Sequence, residues 1–178
     1  MTVLVTGFGP FPGVDDNPTS VLARAVSGAT VAGHIVHGVV LPVRYDEAPA
    51  RTIALARELG AVLVVGTGVA VRRERVTVER VGRAAVGRPD VAGWTPASLD
   101  GPPLVPSTLD VATLCAALDA DPSDDAGSYV CNAWLHGVAQ GLDVPVGFVH
   151  VPPTGLPAAR LLAGLEALLS GSAGSAAG

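Results

Sequence analysis

The chain opens on a short apolar run that stops at glycine. Residues 2–6, Thr-Val-Leu-Val-Thr, read as a buried strand ending at Gly7. The loop that follows, Phe8-Gly9-Pro10-Phe11-Pro12-Gly13, holds too much proline and glycine for a helix or a central strand. Asn17 ahead of Pro18 supplies a cap and a first-turn proline for a helix over Thr19–Val26. His34–Val40 reads as a strand, Tyr45–Leu59 as a helix stopped by Gly60, and Ala61–Val65 as a fully apolar strand. Val76–Val86 is strand-like, and Gly87–Pro106, rich in Pro and Gly, reads as a long ordered loop of the kind that often carries function. Asp110–Leu118 predicts a short helix, Gly127–Cys131 a strand, Asn132–Gln140 a helix, Val144–His150 a strand and Pro157–Leu169 the last helix. The Ser, Gly and Ala residues of 170–178 predict a disordered tail.

Strand and helix alternate, and the strands are short and apolar on both faces. That pattern predicts an α/β fold, a three-layer α/β/α sandwich around a mostly parallel, mixed and twisted sheet. The loops at the carboxyl ends of its strands are then the expected ligand site. No internal repeat or second hydrophobic unit interrupts the pattern, so residues 1–169 are expected to form a single α/β domain.

Composition narrows the function. At 178 residues and 49% hydrophobic, the chain is large enough for one substantial core. No run reaches the roughly 18 uninterrupted apolar residues of a membrane helix. Sixteen acidic against 11 basic residues, net charge −5, argue against nucleic acid as a partner. The start of the chain has no basic segment ahead of an apolar stretch, so a secretory signal is not expected and a cytoplasmic address is. In that reducing compartment the two cysteines, Cys115 and Cys131, read as thiols.

Position separates the two. Cys131 sits where an apolar strand gives way to a helix, and a thiol at a helix N-terminus is expected to have a lowered pKa that favours the thiolate. The bland alternative is a buried structural cysteine. Cys115 illustrates it, lying inside the helix Val111-Ala112-Thr113-Leu114-Cys115. His150 ends a strand and should emerge at the same sheet edge as Cys131, a placement that His34, His37 and His136 lack; a packed structural histidine is the alternative. Glu79, in Val76-Thr77-Val78-Glu79-Arg80-Val81, could equally be a half-exposed carboxylate paired with an arginine. Taken together, a thiol, an imidazole and a carboxylate are the parts that nucleophilic catalysis by cysteine requires.

The same residues carry a resemblance. Thr6-Gly7-Phe8-Gly9-Pro10-Phe11 with Asn17-Pro18, then Val76-Thr77-Val78-Glu79-Arg80-Val81, Ala126-Gly127-Ser128-Tyr129-Val130-Cys131-Asn132, and Gly147-Phe148-Val149-His150-Val151-Pro152 are similar to the four motifs of the pyroglutamyl peptidase I (pyrrolidone-carboxylate peptidase) family, in family order. The resemblance spans Val3–Pro153. It implies a cysteine peptidase that removes N-terminal pyroglutamate from peptides without metal or organic cofactor. Cys131 would be the nucleophile, His150 its base and Glu79 the group that orients the ring. It further implies that Arg88, in Arg88-Pro89-Asp90, helps hold the oxyanion beside the Cys131 N–H; a solvated loop arginine is the alternative. Phe8 and Phe11 would enclose the lactam ring, and backbone groups of Gly66-Thr67-Gly68-Val69-Ala70 would pair with its amide. Some family members assemble as oligomers, which makes a homo-oligomer compatible with the resemblance.

The chain also departs from the family pattern. Val69 replaces a family Gln, and Val71-Arg72-Arg73 stands for Gly-Gly-Arg. Val78 replaces a Pro before the glutamate, and the family Asn is absent near Arg83-Ala84. These changes touch the substrate end of the site, so hydrolysis is better supported than strict preference for pyroglutamate. Two alternatives follow: the same triad acting on another small cyclic or acyl amide, or an inactive homologue serving as a binding protein.

Overall fold

The computed structural model describes residues 1–174, with side-chain surroundings through residue 171. Its central strands are apolar on both faces because both faces are covered. Along β1 (Thr2–Phe8), Val3 and Val5 pack to one side, while Leu4 and Phe8 pack to the other. The same alternation divides Leu63 and Val65 from Val64 in β4 (Ala61–Val69), and Val149 and Val151 from Val146 and Phe148 in β9 (Val146–Val151). On the first side lie α1 (Pro18–Val26), α3 (Val111–Leu118) and α5 (Ala158–Gly174), which contribute Leu22, Val26, Leu114, Leu118, Leu161 and Leu165. On the second lie α2 (Glu47–Glu58) and α4 (Val130–Gly141), with Trp134, Leu135 and Val138 fully buried.

The seven-stranded sheet runs β2-β3-β1-β4-β9-β5-β8. Its centre, β3 (His34–Leu41), β1, β4 and β9, is parallel. The short β2 (Thr30–Val31) is antiparallel to β3, β5 (Thr77–Glu79) is antiparallel to β9, and β8 (Asp121–Ser123) is parallel to β5. A two-stranded ribbon, β6 (Val81–Arg83) with β7 (Leu104–Pro106), lies against α4. This is the expected α/β architecture.

Four expectations are corrected. Gly127–Cys131 is not a strand. Gly127 has φ +80° and Tyr129 is the extended N-cap of α4, so Cys131 is the second residue of the helix. The run Tyr129-Val130-Cys131 is apolar because the helix start packs on the sheet, with Val130 fully buried, and a short apolar run cannot reveal which element it belongs to. The strand-like stretch Val76–Val86 is two strands in two sheets, parted at Arg80, whose N–H donates to the Ser123 carbonyl while its own carbonyl accepts from Ser107 N–H. β4 continues past Val65 to Val69, so most of the expected loop Gly66–Ala70 is strand. Helix α5 runs beyond Leu169 to Gly174; the rest of the expected tail, residues 175–178, lies outside the described residues.

The long loop between β6 and β7 is organised by a buried acid. Asp90 accepts hydrogen bonds from the N–H groups of Ala92 (2.9 Å), Trp94 (3.1 Å) and Tyr45 (3.2 Å). The Tyr45 hydroxyl donates to the Arg88 carbonyl at 2.9 Å. These bonds hold Arg88 at the sheet's carboxyl edge. No helix among the described residues is long and apolar enough to cross a membrane.

Candidate active site

Antiparallel pairing of β5 and β9 brings a carboxylate to an imidazole. Thr77 faces His150 and Glu79 faces Phe148, so Glu79 lies diagonally across from His150 on the same side of the sheet. Glu79 Oε1 accepts a hydrogen bond from His150 Nδ1 at 2.7 Å. Both residues are buried, Glu79 completely. With Nδ1 donating to the carboxylate, Nε2 is the ring nitrogen whose lone pair remains for the cavity.

Cys131 reaches the same place from α4. The helix start packs directly onto β4, where a Cβ added at Gly68 would sit 2.6 Å from Cys131 Sγ and 2.8 Å from the Phe148 ring. Gly68 is in turn the register partner of His150. Glycine is therefore required at position 68 by the close approach, and the approach sets the sulfur over the strand that neighbours the histidine. The N–H groups of Val130, Cys131 and Asn132 precede the first intrahelical bond, from Ala133 N–H to the Tyr129 carbonyl (3.1 Å), so they point out of the helix end without an intrahelical partner.

Above these groups opens a cavity of about 320 Å³, lined by Cys131, His150, Phe8, Phe11, Val69 and Arg88 among others. All the predicted residues except Glu79 line it, and Glu79 lies behind His150. Phe8 is rigid: its ring is buried 6.4 Å from that of Phe148, and its N–H donates to Thr19 Oγ1 at 3.0 Å. Phe11 is held by reciprocal backbone bonds with Val14 (3.1 and 2.8 Å) and rests against Tyr129. Arg88 is exposed, as a loop arginine would be, yet its guanidinium stacks 4.0 Å above the Tyr129 ring inside the cavity. β1 pairs with β4 only as far as Thr6–Gly66, so Thr67, Gly68 and Val69 have a ladder on the β9 side alone. Their other edge faces the loop after β1.

The electrostatics correct one expectation. Burial, reinforced by the negative charge of Glu79, pushes the Cys131 thiol up to about 12, and the opposing helix-end N–H and the cations of Arg88 and Arg73 are too weak to reverse it. The helix N-terminus does not produce a resting thiolate here. Burial also pushes the Glu79 carboxyl up, but the hydrogen bond and charge of His150, with help from Ser123 and Arg73, outweigh it and hold the group at about 2. The site thus sets an ionised carboxylate behind His150 and a thiol whose burial favours its protonated form.

Three further residues of the site escaped the sequence reading as site residues. Arg73 pairs with Glu79 Oε1 at 2.5 Å and also donates to the carbonyl of Asp125 in the cavity wall. Buried Asn132 accepts from Arg83 N–H (2.8 Å) and donates to the carbonyls of Arg83 (2.8 Å) and Ala85 (3.0 Å), anchoring the start of the Arg88 loop to α4. Tyr129 supplies the face on which Arg88 lies. A signal for them was present in the motifs: Tyr129 and Asn132 flank the Val130-Cys131 step of the cysteine motif, and Arg73 falls on the arginine of the family's Gly-Gly-Arg.

Comparison with known proteins agrees with this geometry. The family model for pyroglutamyl peptidase matches residues 1–161. Pyrrolidone-carboxylate peptidase of Mycobacterium marinum is 33% identical, covering 96% of this chain and 93% of that protein; the Deinococcus radiodurans protein of the same name is 37% identical over 85% and 78%. The structure of pyrrolidone carboxyl peptidase from Thermococcus litoralis superposes with a TM-score of 0.83 at 26% identity, covering 95% of this chain and 91% of that one. That from Thermus thermophilus gives 0.80 at 28%, over 94% and 98%. A match of this length, on a fold that brings cysteine, histidine and glutamate to one sheet edge, means that the chain belongs to the pyroglutamyl peptidase family of cysteine peptidases.

Proposed function

We propose that the protein removes N-terminal pyroglutamate from peptides through an acyl-enzyme on Cys131, with residues 1–169 acting as a single catalytic domain. The observation that carries this reading is one cavity lined by both Cys131 and His150, with Glu79 bound to the far side of the imidazole at 2.7 Å. His150 Nε2 takes the thiol proton as Sγ bonds to the pyroglutamyl carbonyl carbon. The same proton then passes to the departing amine as the C–N bond breaks. Water, giving a proton to Nε2, attacks the thioester and releases pyroglutamate, and the sulfur recovers that proton. Glu79 holds the ring's tautomer and balances its charge while it carries the proton.

Cys131 N–H at the helix end and Arg88 are the groups we assign to the oxyanion. Phe8, Phe11 and Val69 form the walls for a flat, uncharged lactam, and the segment Gly66–Ala70, which reaches the cavity at Val69 and Ala70, supplies backbone groups to its amide. Because burial raises the thiol above the ordinary cysteine value, the attack calls for His150 as its base. A reducing, cytoplasmic setting fits the two free thiols.

Turnover of a pyroglutamyl arylamide by the wild type beside Cys131→Ala tests the reading. Release of arylamine by the wild type and none by the variant is expected. No release by a wild type whose Cys131 is still alkylated faster than Cys115 would turn the assignment to another small amide, and an inert Cys131 would make the chain a binding protein.

A further inference from the structure

One oxygen of Glu79 carries almost everything the carboxylate does. Oε1 receives His150 Nδ1 at 2.7 Å, Arg73 Nη1 at 2.5 Å and the Thr77 hydroxyl at 3.3 Å, whereas the buried Oε2 has no hydrogen-bond partner. Arg73 and His150 thus draw on the same lone pairs. The remaining donors of Arg73 go to Thr77 Oγ1, to Ser123 Oγ at 3.4 Å and to the Asp125 carbonyl at 2.5 Å. Asp125, Ala126 and Gly127 form the cavity wall leading to the start of α4. The arginine therefore ties the carboxylate behind the histidine to the segment that delivers the cysteine.

Resting on the reading above, we propose that Arg73 is a positioning residue that shares Glu79 Oε1 with His150, thereby limiting the basicity of the ring and holding the 125–127 wall in register with it. A carboxylate acting on the imidazole alone would stabilise the imidazolium fully. With a guanidinium on the same oxygen, part of that charge is already neutralised, so the ring draws less on the carboxylate than it would with Glu79 to itself. That matters here because burial keeps the thiol protonated, and a histidine already charged could not accept its proton. The other charged and titratable groups lining the cavity with the ring are Cys131 from α4, Tyr129 at its N-cap, Arg72 on the turn after β4, Arg88 on the long loop and Asp125 on the wall. Arg72 and Arg88 are exposed, and of the three arginines Arg73 alone bonds to the partner of His150. A guanidinium is suited to this place because it reaches Glu79 and Asp125 at once, which an ammonium cannot.

The test is an NMR titration of the His150 ring in the wild type, Arg73→Gln and Arg73→Lys, with the pH profile of kcat/KM on the pyroglutamyl arylamide beside it. Arg73→Gln should raise the His150 midpoint by about one pH unit and move the acid limb of kcat/KM up with it. It should also lower kcat by about tenfold or more while KM changes little. Arg73→Lys should restore most of the midpoint, since a cation is kept, but not the full kcat, since the second tie is lost. An unmoved midpoint and a wild-type kcat in Arg73→Gln, with only a lower Tm, would overturn the proposal. Should Arg73→Gln fail to fold, Arg73→Lys decides: a reduced kcat supports the double tie, and a wild-type kcat refutes it. The ring titration needs no substrate, so a wild type inactive on pyroglutamyl arylamide would sink the substrate reading and leave Arg73 still tested.

Discussion

Cys131 and Cys115 occupy opposite faces of the sheet and are alike in most respects. Each lies in a helix, each is half-buried, each is a free thiol, and burial pushes both above the ordinary cysteine value. Cys115, in the middle of α3, packs with the core beneath α5, and the charge nearest in effect is the carboxylate of Asp121. Cys131, at the start of α4, lies over Gly68 and lines a cavity together with His150. The comparison teaches that neither a low resting pKa nor helix position alone sets the proposed nucleophile apart. It is distinguished by a base that faces it across a space a substrate can enter.

Removing the base should have the largest effect on that contrast. His150→Ala should lower kcat by about 10³-fold or more and slow iodoacetamide alkylation of Cys131 to the rate of Cys115. Rapid alkylation of Cys131 in this variant, followed by mass spectrometry of the two cysteine peptides, would break the argument.

Closing the approach of α4 to the sheet should have the next largest effect. In Gly68→Ala the new methyl meets Cys131 Sγ and the Phe148 ring; in Gly164→Ala it meets Leu114 Cδ1 at 2.8 Å, on the Cys115 side of the sheet. Both overpack the core and should cost about 1–3 kcal/mol of stability in denaturant melts. Only Gly68→Ala should also lower kcat, by about tenfold, because it alone displaces the sulfur from the histidine. Equal activity in the two variants would contradict the packing account.

The smallest effect is the pH course of alkylation in the unmodified protein. At pH 7 Cys131 should react about tenfold faster than Cys115, helped by its base. Its rate should keep rising through pH 9, because its thiol is held near 12 and the thiolate fraction is still growing there. A plateau near neutrality would instead show a thiolate–imidazolium pair already formed at rest.

Much of this was legible beforehand. The two-faced apolar strands and intervening helices gave away the layered sheet, since burial on both sides leaves no room for polar alternation. Asn17-Pro18 marked the start of α1, where the Asn17 side chain accepts from Thr19 N–H. Cys131, His150 and Glu79 could be picked out through motif resemblance, and the structure brings them to one edge. The element around Cys131 was misread because an apolar run as short as Tyr129-Val130-Cys131 fits a strand or a helix start equally well. Only the positive φ of Gly127 and the packing on Gly68 decide for the helix.

The sequence by itself determined the class of fold, the chemistry available and the family, because periodicity, residue type and motif order are local properties of the chain. Tertiary structure alone decided how those groups behave. That β5 runs antiparallel to β9, that Arg73 and His150 share one oxygen of Glu79, and that desolvation outweighs the helix end at Cys131 all depend on contacts between segments far apart in the chain. A side chain's charge and orientation are set by its surroundings in space, and those exist only once the sheet has closed.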